Sequence, residues 1–282
     1  MTRQKHREGY RDERGAEPGK EWNEKRKSRR RRNRRKARIR FLASMLGTLL
    51  GAVLLVLVAY TALNLFCGFG KVNTQKLREQ GYPESLIALV ERNPETKDFV
   101  MDYPKYKGLE EIDISKEVTK GKIPHFLQWD ERWGYETYGS DFLAVTGCGP
   151  TSLSMVVCGL TGDTKWNPYE VAKMAEDNGY YVDGSGSSWE LMSSGAEKLG
   201  LTVSSVIFDA EHIRATLESG QPIICVMGPG DFTDAGHFLV LTGVDQEGDI
   251  ILQDPNSVER TKQHWDVQKL MNQMKNLWSY RV

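Results

Sequence analysis

A short stretch, Thr146-Gly147-Cys148-Gly149-Pro150-Thr151-Ser152, decides both the fold and the chemistry predicted for this chain. Glycines on both sides of the cysteine permit a tight entry into a helix and leave the sulfur open to a substrate backbone. Pro150 suits the first turn of a helix, and the apolar run up to Val157 continues it. We therefore predict a helix headed by Cys148, where unpaired N–H groups and the helix dipole stabilise a thiolate. The alternative is a buried structural cysteine beside a turn.

A histidine in a strand setting lies far downstream, in Gly236-His237-Phe238-Leu239-Val240. Residues 237–244 predict a strand, residues 246–249 a hairpin turn, and residues 249–253 the antiparallel return. His237 is then placed to take the thiol proton and later to protonate a leaving amine. The alternative is a sheet-edge histidine without a chemical role. The other histidines lack such a strand frame; they are His6, His125, His212 and His264.

The return strand leads into Asp254-Pro255-Asn256, which offers two candidates for the group that orients the imidazole. The hairpin can bring Asp254 beside His237, so Asp254 is the predicted partner. Asn256 is its competitor, and a plain turn is the alternative to both. Upstream, Gln128 is a candidate donor to a tetrahedral oxyanion, together with the backbone N–H of Cys148. Physical reasoning from the residues alone does not separate Gln128 from an ordinary surface glutamine.

These pieces together resemble the bacterial double-glycine-peptidase-like family, a bacteriocin-processing type of papain-fold cysteine peptidase. The resemblance covers about residues 120 to 260 and rests on the runs 128–134, 138–139, 147–152, 236–237 and 254–255. It implies a papain-like fold. It also implies that the oxyanion donor is Gln128, the nucleophile Cys148, the base His237 and the orienting acid Asp254.

The chain departs from the best-known members of that family in two respects. Those members process leader peptides after a Gly-Gly pair, face the cytosol and are fused to an ATP-driven exporter. This sequence contains no Walker-type phosphate loop and a single candidate membrane span. Leader processing coupled to export is therefore not expected.

Charge is distributed very unevenly around one uncharged segment, Phe41 to Gly70. Residues 1–40 contain 18 basic and 6 acidic residues, whereas the remainder contains 20 basic and 32 acidic residues. The uncharged segment exceeds the roughly 20 residues needed to cross a bilayer, and the basic block 29–36 precedes it. Because basic residues stay cytoplasmic, we expect a single-pass signal-anchor with the N-terminus inside and the chain beyond about Lys71 outside. A cleaved signal peptide and a buried core helix are the alternatives.

Four segments are therefore predicted: a disordered basic cytoplasmic tail at 1–40, a transmembrane signal-anchor helix at 41–70, a helical connector at 71–109, and a papain-like domain at 110–282. The connector should contain a helix at 82–91 that ends at Asn93-Pro94. In the last segment, helices are predicted at 167–178, 188–199, 211–219 and 267–275, and further strands at 222–227 and 277–282. Helices followed by an antiparallel sheet indicate an α+β fold. Contact of the basic tail with anionic lipid is expected, and nucleic-acid binding is not.

The function that this sequence favours is a membrane-anchored extracytoplasmic cysteine peptidase of a Gram-positive-like cell, acting on a peptide or protein at the cell surface. It would act through a thioester on Cys148. Two alternatives remain open: a cell-envelope binding module on a peptidase-like scaffold, and a thiol acyltransferase or transpeptidase. Cys158 and Cys225 lie among apolar residues and read as buried inert thiols, so no disulfide is expected. Neither a cofactor nor a metal-ligand set is predicted.

Overall fold

The computed structural model describes residues 18–69 and 72–282, which belong to two compact units, residues 1–70 and 71–282. In the first unit, the described residues form one helix of 52 residues, α1 (Pro18–Phe69). The expected disordered tail lies outside the described residues up to residue 17, whereas residues 18–40 are helical. Lys, Arg and Glu are good helix formers, and neither Gly nor Pro interrupts residues 20–46, so the basic block continues the helix of the apolar segment.

Part of α1 is long and apolar enough to cross a membrane. The stretch Arg26–Val58 contains a window with a mean hydropathy of 2.5, and none of that window is buried in the protein. Length and composition alone carry this finding, and a signal sequence near the N-terminus would pass the same test.

Three short helices open the second unit: α2 (Thr74–Glu79), α3 (Glu84–Arg92) and α4 (Lys97–Asp102). The helix predicted at 82–91 corresponds to α3, and Asn93 ends it. Apolar side chains of these helices share one buried cluster with Tyr135 and Ala144 from the later chain; they are Leu77, Leu86, Ile87, Leu89, Val90, Phe99 and Val100. We call residues 72–105 the helical brace, because they pack into the same unit as the rest of the chain up to residue 282.

The next part of the chain contains the central helix α6, which begins at Cys148. Its elements are β1 (Thr137–Tyr138), β2 (Asp141–Phe142), α5 (Leu143–Thr146), α6 (Cys148–Thr161), α7 (Pro168–Asp177), β3 (Tyr181–Val182), β4 (Gly186–Ser187), α8 (Ser194–Lys198), β5 (Thr202–Ser205) and α9 (Ala210–Glu218). The predicted helix at 188–199 is wrong in its first half, which is a 3-10 turn, Trp189–Met192. Ser193 has φ −111° and ψ −92°, so the chain breaks there before α8.

The remaining elements are β6 (Ile223–Met227), β7 (His237–Val244), β8 (Ile250–Gln253), α10 (Val258–Thr261), β9 (His264–Trp265), α11 (Val267–Met271) and β10 (Met274–Arg281). Their five strands form one six-stranded sheet together with β5. The strand order is β5-β10-β6-β7-β8-β9, and every neighbouring pair is antiparallel. The predicted α+β class with a C-terminal antiparallel sheet is confirmed. The predicted helix at 267–275 ends earlier, at Met271, because β10 already starts at Met274.

Both faces of β6 and of the first half of β7 are buried, and this explains the nearly continuous apolar runs of these two central strands. Side chains alternate between faces along a strand. In β6, Ile224 and Val226 pack with the cluster around α6, whereas Ile223, Cys225 and Met227 pack with the cluster that includes α9. The sheet is therefore a central layer, with α6 on one face and α9 on the other.

Candidate active site

A cleft of about 870 Å³ brings together residues from three distant parts of the sequence. Gln128, Cys148 and His237 all line it, and the two glycine-containing loops 184–186 and 230–236 contribute further walls. Asp254 does not line the cleft; it lies behind His237 and is fully buried. All four residues singled out from the sequence thus meet in one region.

Cys148 is the first residue of α6, and its side chain is partly exposed. The flanking glycines are required by close contacts rather than by backbone dihedrals. A Cβ at Gly149 would lie 2.3 Å from Ser187 Oγ, and a Cβ at Gly147 would lie 2.4 Å from the Leu143 carbonyl oxygen. The sulfur therefore sits at a tightly packed helix start, where N–H groups of the first turn have no partner within the helix.

His237 is the first residue of β7 and is almost completely buried. Its Nε2 lies 2.7 Å from Asp254 Oδ1, and the Cys148 thiol is close enough to the ring to raise the pKa of the imidazole. Because Nε2 is engaged by the carboxylate, Nδ1 is the nitrogen left for the sulfur. The imidazole is thus held between a thiol and a carboxylate, which is the arrangement that activates a cysteine nucleophile.

Every carboxylate oxygen of Asp254 has a donor. Oδ1 accepts from His237 and, at 2.8 Å, from the backbone N–H of Asn256. Oδ2 accepts from Arg260 Nε at 2.5 Å. Of the two candidates for the orienting group, Asp254 contacts the imidazole, whereas Asn256 contributes its backbone N–H and directs its side chain to Asn93.

The charges of this set favour a thiolate–imidazolium pair. Burial opposes the anion on Cys148, but the hydrogen bond and positive charge of His237 outweigh it and lower the pKa of the thiol. Burial likewise opposes the imidazolium, yet the charge of Asp254 raises the pKa of His237 above its ordinary value. For Asp254, burial is outweighed by His237 and Arg260, so its pKa falls to about 2. The directions of these shifts favour the charged pair of thiolate and imidazolium over the neutral pair.

Gln128 lines the cleft, and hydrogen bonds to backbone carbonyl oxygens fix both its side chain and its backbone. Its Nε2 donates to the Ala144 carbonyl oxygen at 2.7 Å, and its backbone N–H donates to the Pro255 carbonyl oxygen at 2.7 Å. No donor within the described part of the chain reaches its buried Oε1. A side-chain amide has two N–H donors. The same Nε2 also lies 3.5 Å from the Val145 carbonyl oxygen, a weaker contact that a substrate oxygen could replace.

One family model covers the part of the chain that contains these four residues. The family model described as the Peptidase_C39 like family matches residues 120–282, which is more than half of the chain. The chain belongs to the Peptidase_C39 like family. Membership suggests a cysteine peptidase, so the family resemblance drawn from the sequence is confirmed at this level.

Other comparisons are more distant. One crystal structure that is similar comes from Bacillus anthracis, and its own assignment as a C39-like peptidase is provisional. It is 19% identical, with a TM-score of 0.34, and the similarity covers 58% of this chain and 97% of that chain. No curated protein matches the chain significantly.

Sequence reasoning missed a second layer around Asp254 in this C39-like site. Arg260 reaches the carboxylate from α10, and His125 Nε2 lies 2.7 Å from the Asp254 carbonyl oxygen. Thr261 Oγ1 accepts from the Asp254 backbone N–H at 2.9 Å. The sequence did offer a signal for Arg260 and Thr261. They follow Asp254 by six and seven positions, and a helix after a turn can bring residues at that separation into contact. Nothing in the sequence marked His125.

The remaining described cysteines differ sharply from Cys148. Cys158 and Cys225 are buried, and burial raises the pKa of Cys158 to about 12 and the pKa of Cys225 further. All three cysteines are free. Across residues 26–58 and 72–282, no group of His, Cys, Asp and Glu side chains has the arrangement of a metal site.

Proposed function

We propose that this C39-like protein is a papain-like cysteine peptidase that hydrolyses a peptide or amide bond through a thioester on Cys148. The observation that carries the proposal is the ordered set in which the Cys148 thiol, the His237 imidazole and the Asp254 carboxylate adjoin at a cleft. A structural cysteine would need neither an imidazole in contact nor a buried carboxylate behind that imidazole.

The first half of the reaction follows from the charges. The Cys148 thiolate attacks the carbonyl carbon, and the carbonyl π electrons move onto oxygen. The Cys148 backbone N–H and the second N–H of the Gln128 amide are the donors available to that oxyanion. His237 then gives its proton to the departing amine as the C–N bond breaks, and a thioester remains on Cys148.

The second half restores the enzyme. Neutral His237 takes a proton from water, the resulting hydroxide adds to the thioester carbonyl, and the C–S bond breaks to release a carboxylic acid and the thiolate. Asp254 stays ionised throughout, because its pKa lies far below neutrality and its role is to hold and stabilise the imidazolium.

Thiol reactivity tests this proposal without knowledge of the substrate. The full chain in detergent is treated with iodoacetamide between pH 5 and 9, and each cysteine is followed by mass spectrometry of its own peptide. Because His237 lowers the pKa of Cys148, its alkylation at pH 6 is expected to be at least about tenfold faster than that of Cys158 or Cys225. Equally slow alkylation of the three thiols at pH 6 would contradict the proposed catalyst.

We also propose that the peptidase unit lies outside the cell, held by one signal-anchor helix. The support is the uncharged segment 41–70, the candidate span in α1, and the basic block 29–36 on one side of it. In intact cells, added protease is expected to degrade the region after residue 72 and to spare an epitope placed ahead of the basic block. Degradation of that region only after lysis would place it in the cytosol and overturn the orientation.

A further inference from the structure

The helical brace contacts the loop that follows Asp254. Asn93, at the end of α3, is buried, and its Nδ2 donates to the Asn256 backbone oxygen at 2.5 Å and to the Asn256 Oδ1 at 3.1 Å. Trp129 Nε1 donates to the same backbone oxygen at 3.3 Å. The peptide after Asn256 is therefore fixed by side chains from two segments that are far away in sequence.

Glu95 holds the next part of the same loop. Its carboxylate accepts hydrogen bonds from the Ser257 hydroxyl and from the backbone N–H groups of Val258, at 2.8 Å, and Glu259, at 3.2 Å. These N–H groups belong to the first turn of α10 and have no acceptor within the helix. A carboxylate is a good acceptor for such a turn, because its negative charge also interacts favourably with the positive end of the helix dipole.

The loop that Asn93 and Glu95 contact also leads to the two groups that donate to the Asp254 carboxylate. Asn256 donates its backbone N–H to Asp254 Oδ1, and Arg260, from α10, donates Nε to Asp254 Oδ2. Asn93 contacts Asn256 itself, and Arg260 directly follows the three residues that Glu95 contacts, Ser257, Val258 and Glu259. A displacement of this loop would move both donors away from Asp254 and loosen its contact with His237.

The brace also reaches the cleft itself. Leu89, Arg92 and Asn93 line the same cleft as Cys148 and His237. These residues precede the part of the chain that the family model matches, residues 120–282. The active-site region of this protein therefore includes a segment that the family match does not cover.

We propose that Asn93 and Glu95 are positioning residues that, through the Asn256–Glu259 loop, keep Asp254 against His237 and so sustain the reactive thiolate of Cys148. The proposal rests on the proposed function, since it assigns the two residues a task in that site. Loosening Asp254 lowers the pKa of the His237 imidazolium and raises the pKa of the Cys148 thiol. Below that pKa, a rise by one unit removes about nine-tenths of the thiolate.

The test compares the pH profile of Cys148 alkylation in the full-length protein and three variants. Asn93→Ala removes the amide donor, and Glu95→Gln keeps the size of the side chain but removes its charge. Glu91→Gln is the matched control, because Glu91 is exposed, lies on the same α3 and is 3.6 Å from Arg78, away from the loop. Alkylation at pH 6 is expected to fall about tenfold in the first two variants, to converge with the parent near pH 9, and to be unchanged in the control.

The outcomes separate a positioning role from a structural one. A lower melting temperature with an unshifted alkylation profile would overturn the proposal and leave the brace as a packing element. Fast alkylation of Cys158 and Cys225 would reveal unfolding of Asn93→Ala, and the isosteric Glu95→Gln then decides. A parent protein without preferential Cys148 alkylation would refute the proposed function instead, so the two failures are distinguishable.

Discussion

Replacing Cys148 by alanine is expected to lower peptide hydrolysis by roughly 10⁶-fold, because loss of a nucleophile that acts as a unit with its base removes nearly all covalent catalysis. The measurement is the appearance of new carboxyl termini when the full chain in detergent acts on a mixed peptide library. The same variant should lose the rapidly alkylated thiol at the start of α6. Its folding should be unaffected, since the side chain is partly exposed and alanine suits a helix.

Cys158→Ala is the matched control for this prediction. It removes a thiol from the same helix, but that thiol is buried and its sulfur lies 3.3 Å from the Trp166 carbonyl oxygen, away from His237. Hydrolysis by this variant should stay within a few-fold of the parent. Hydrolysis that persists in Cys148→Ala would show that the nucleophile is elsewhere, and the assignment of the cleft would fail with it.

The elements that carry Cys148 and His237 could be predicted from the sequence, because each depends on residues that are close together in the chain. Gly147, Gly149 and Pro150 predict a helix that starts at the cysteine, and α6 starts there. The apolar run after His237 and the turn near Gly248 predict a hairpin, and β7 and β8 form it. Each inference needed only propensity and spacing over a few residues.

The choice between Asp254 and Asn256 needed the tertiary structure. Val240 pairs with Gln253, so a longer β8 would place Asn256 directly opposite His237. The strand ends at Gln253 instead, and the chain turns at a bridge between Asp254 and Ser257. Asp254 continues the face of β8 that carries Leu252 and therefore becomes the diagonal neighbour of His237, within reach of its ring.

The role of the segment before the catalytic region was the least accessible from sequence. Its amphipathic pattern predicts the helix at 82–91, but the apolar face of a helix does not tell which residues pack against it. In this protein Tyr135 and Ala144, more than forty positions later in the chain, pack against it. Asn93 and Glu95 carried no motif, because their partners are backbone groups near residue 257.

Asp254→Asn is expected to lower hydrolysis by roughly 10⁴-fold, the scale seen when a buried orienting carboxylate becomes an amide. The amide cannot stabilise an imidazolium, so the pKa of His237 falls and the pKa of Cys148 rises. Alkylation of Cys148 at pH 6 should therefore slow while alkylation at pH 9 changes little. Asp209→Asn is the matched control, because Asp209 also contacts a histidine, His212, but both are exposed and asparagine still caps α9.

The same substitution should also change how stability depends on pH. Asp254 has a folded pKa of about 2, below its unfolded value of about 3.9, so it contributes stability that is fully present above pH 4. That contribution, roughly 2–3 kcal/mol, is lost as the pH falls from about 4 towards 2. Asp254→Asn lacks it and leaves Arg260 without its anionic partner, so its unfolding free energy should be lower at pH 7 and flatter between pH 4 and 2. Denaturant titrations at pH 7, 4 and 3 measure this difference. Parallel losses of stability in parent and variant on acidification would mean that Asp254 is not the buried ionised carboxylate on which the thiolate–imidazolium pair depends.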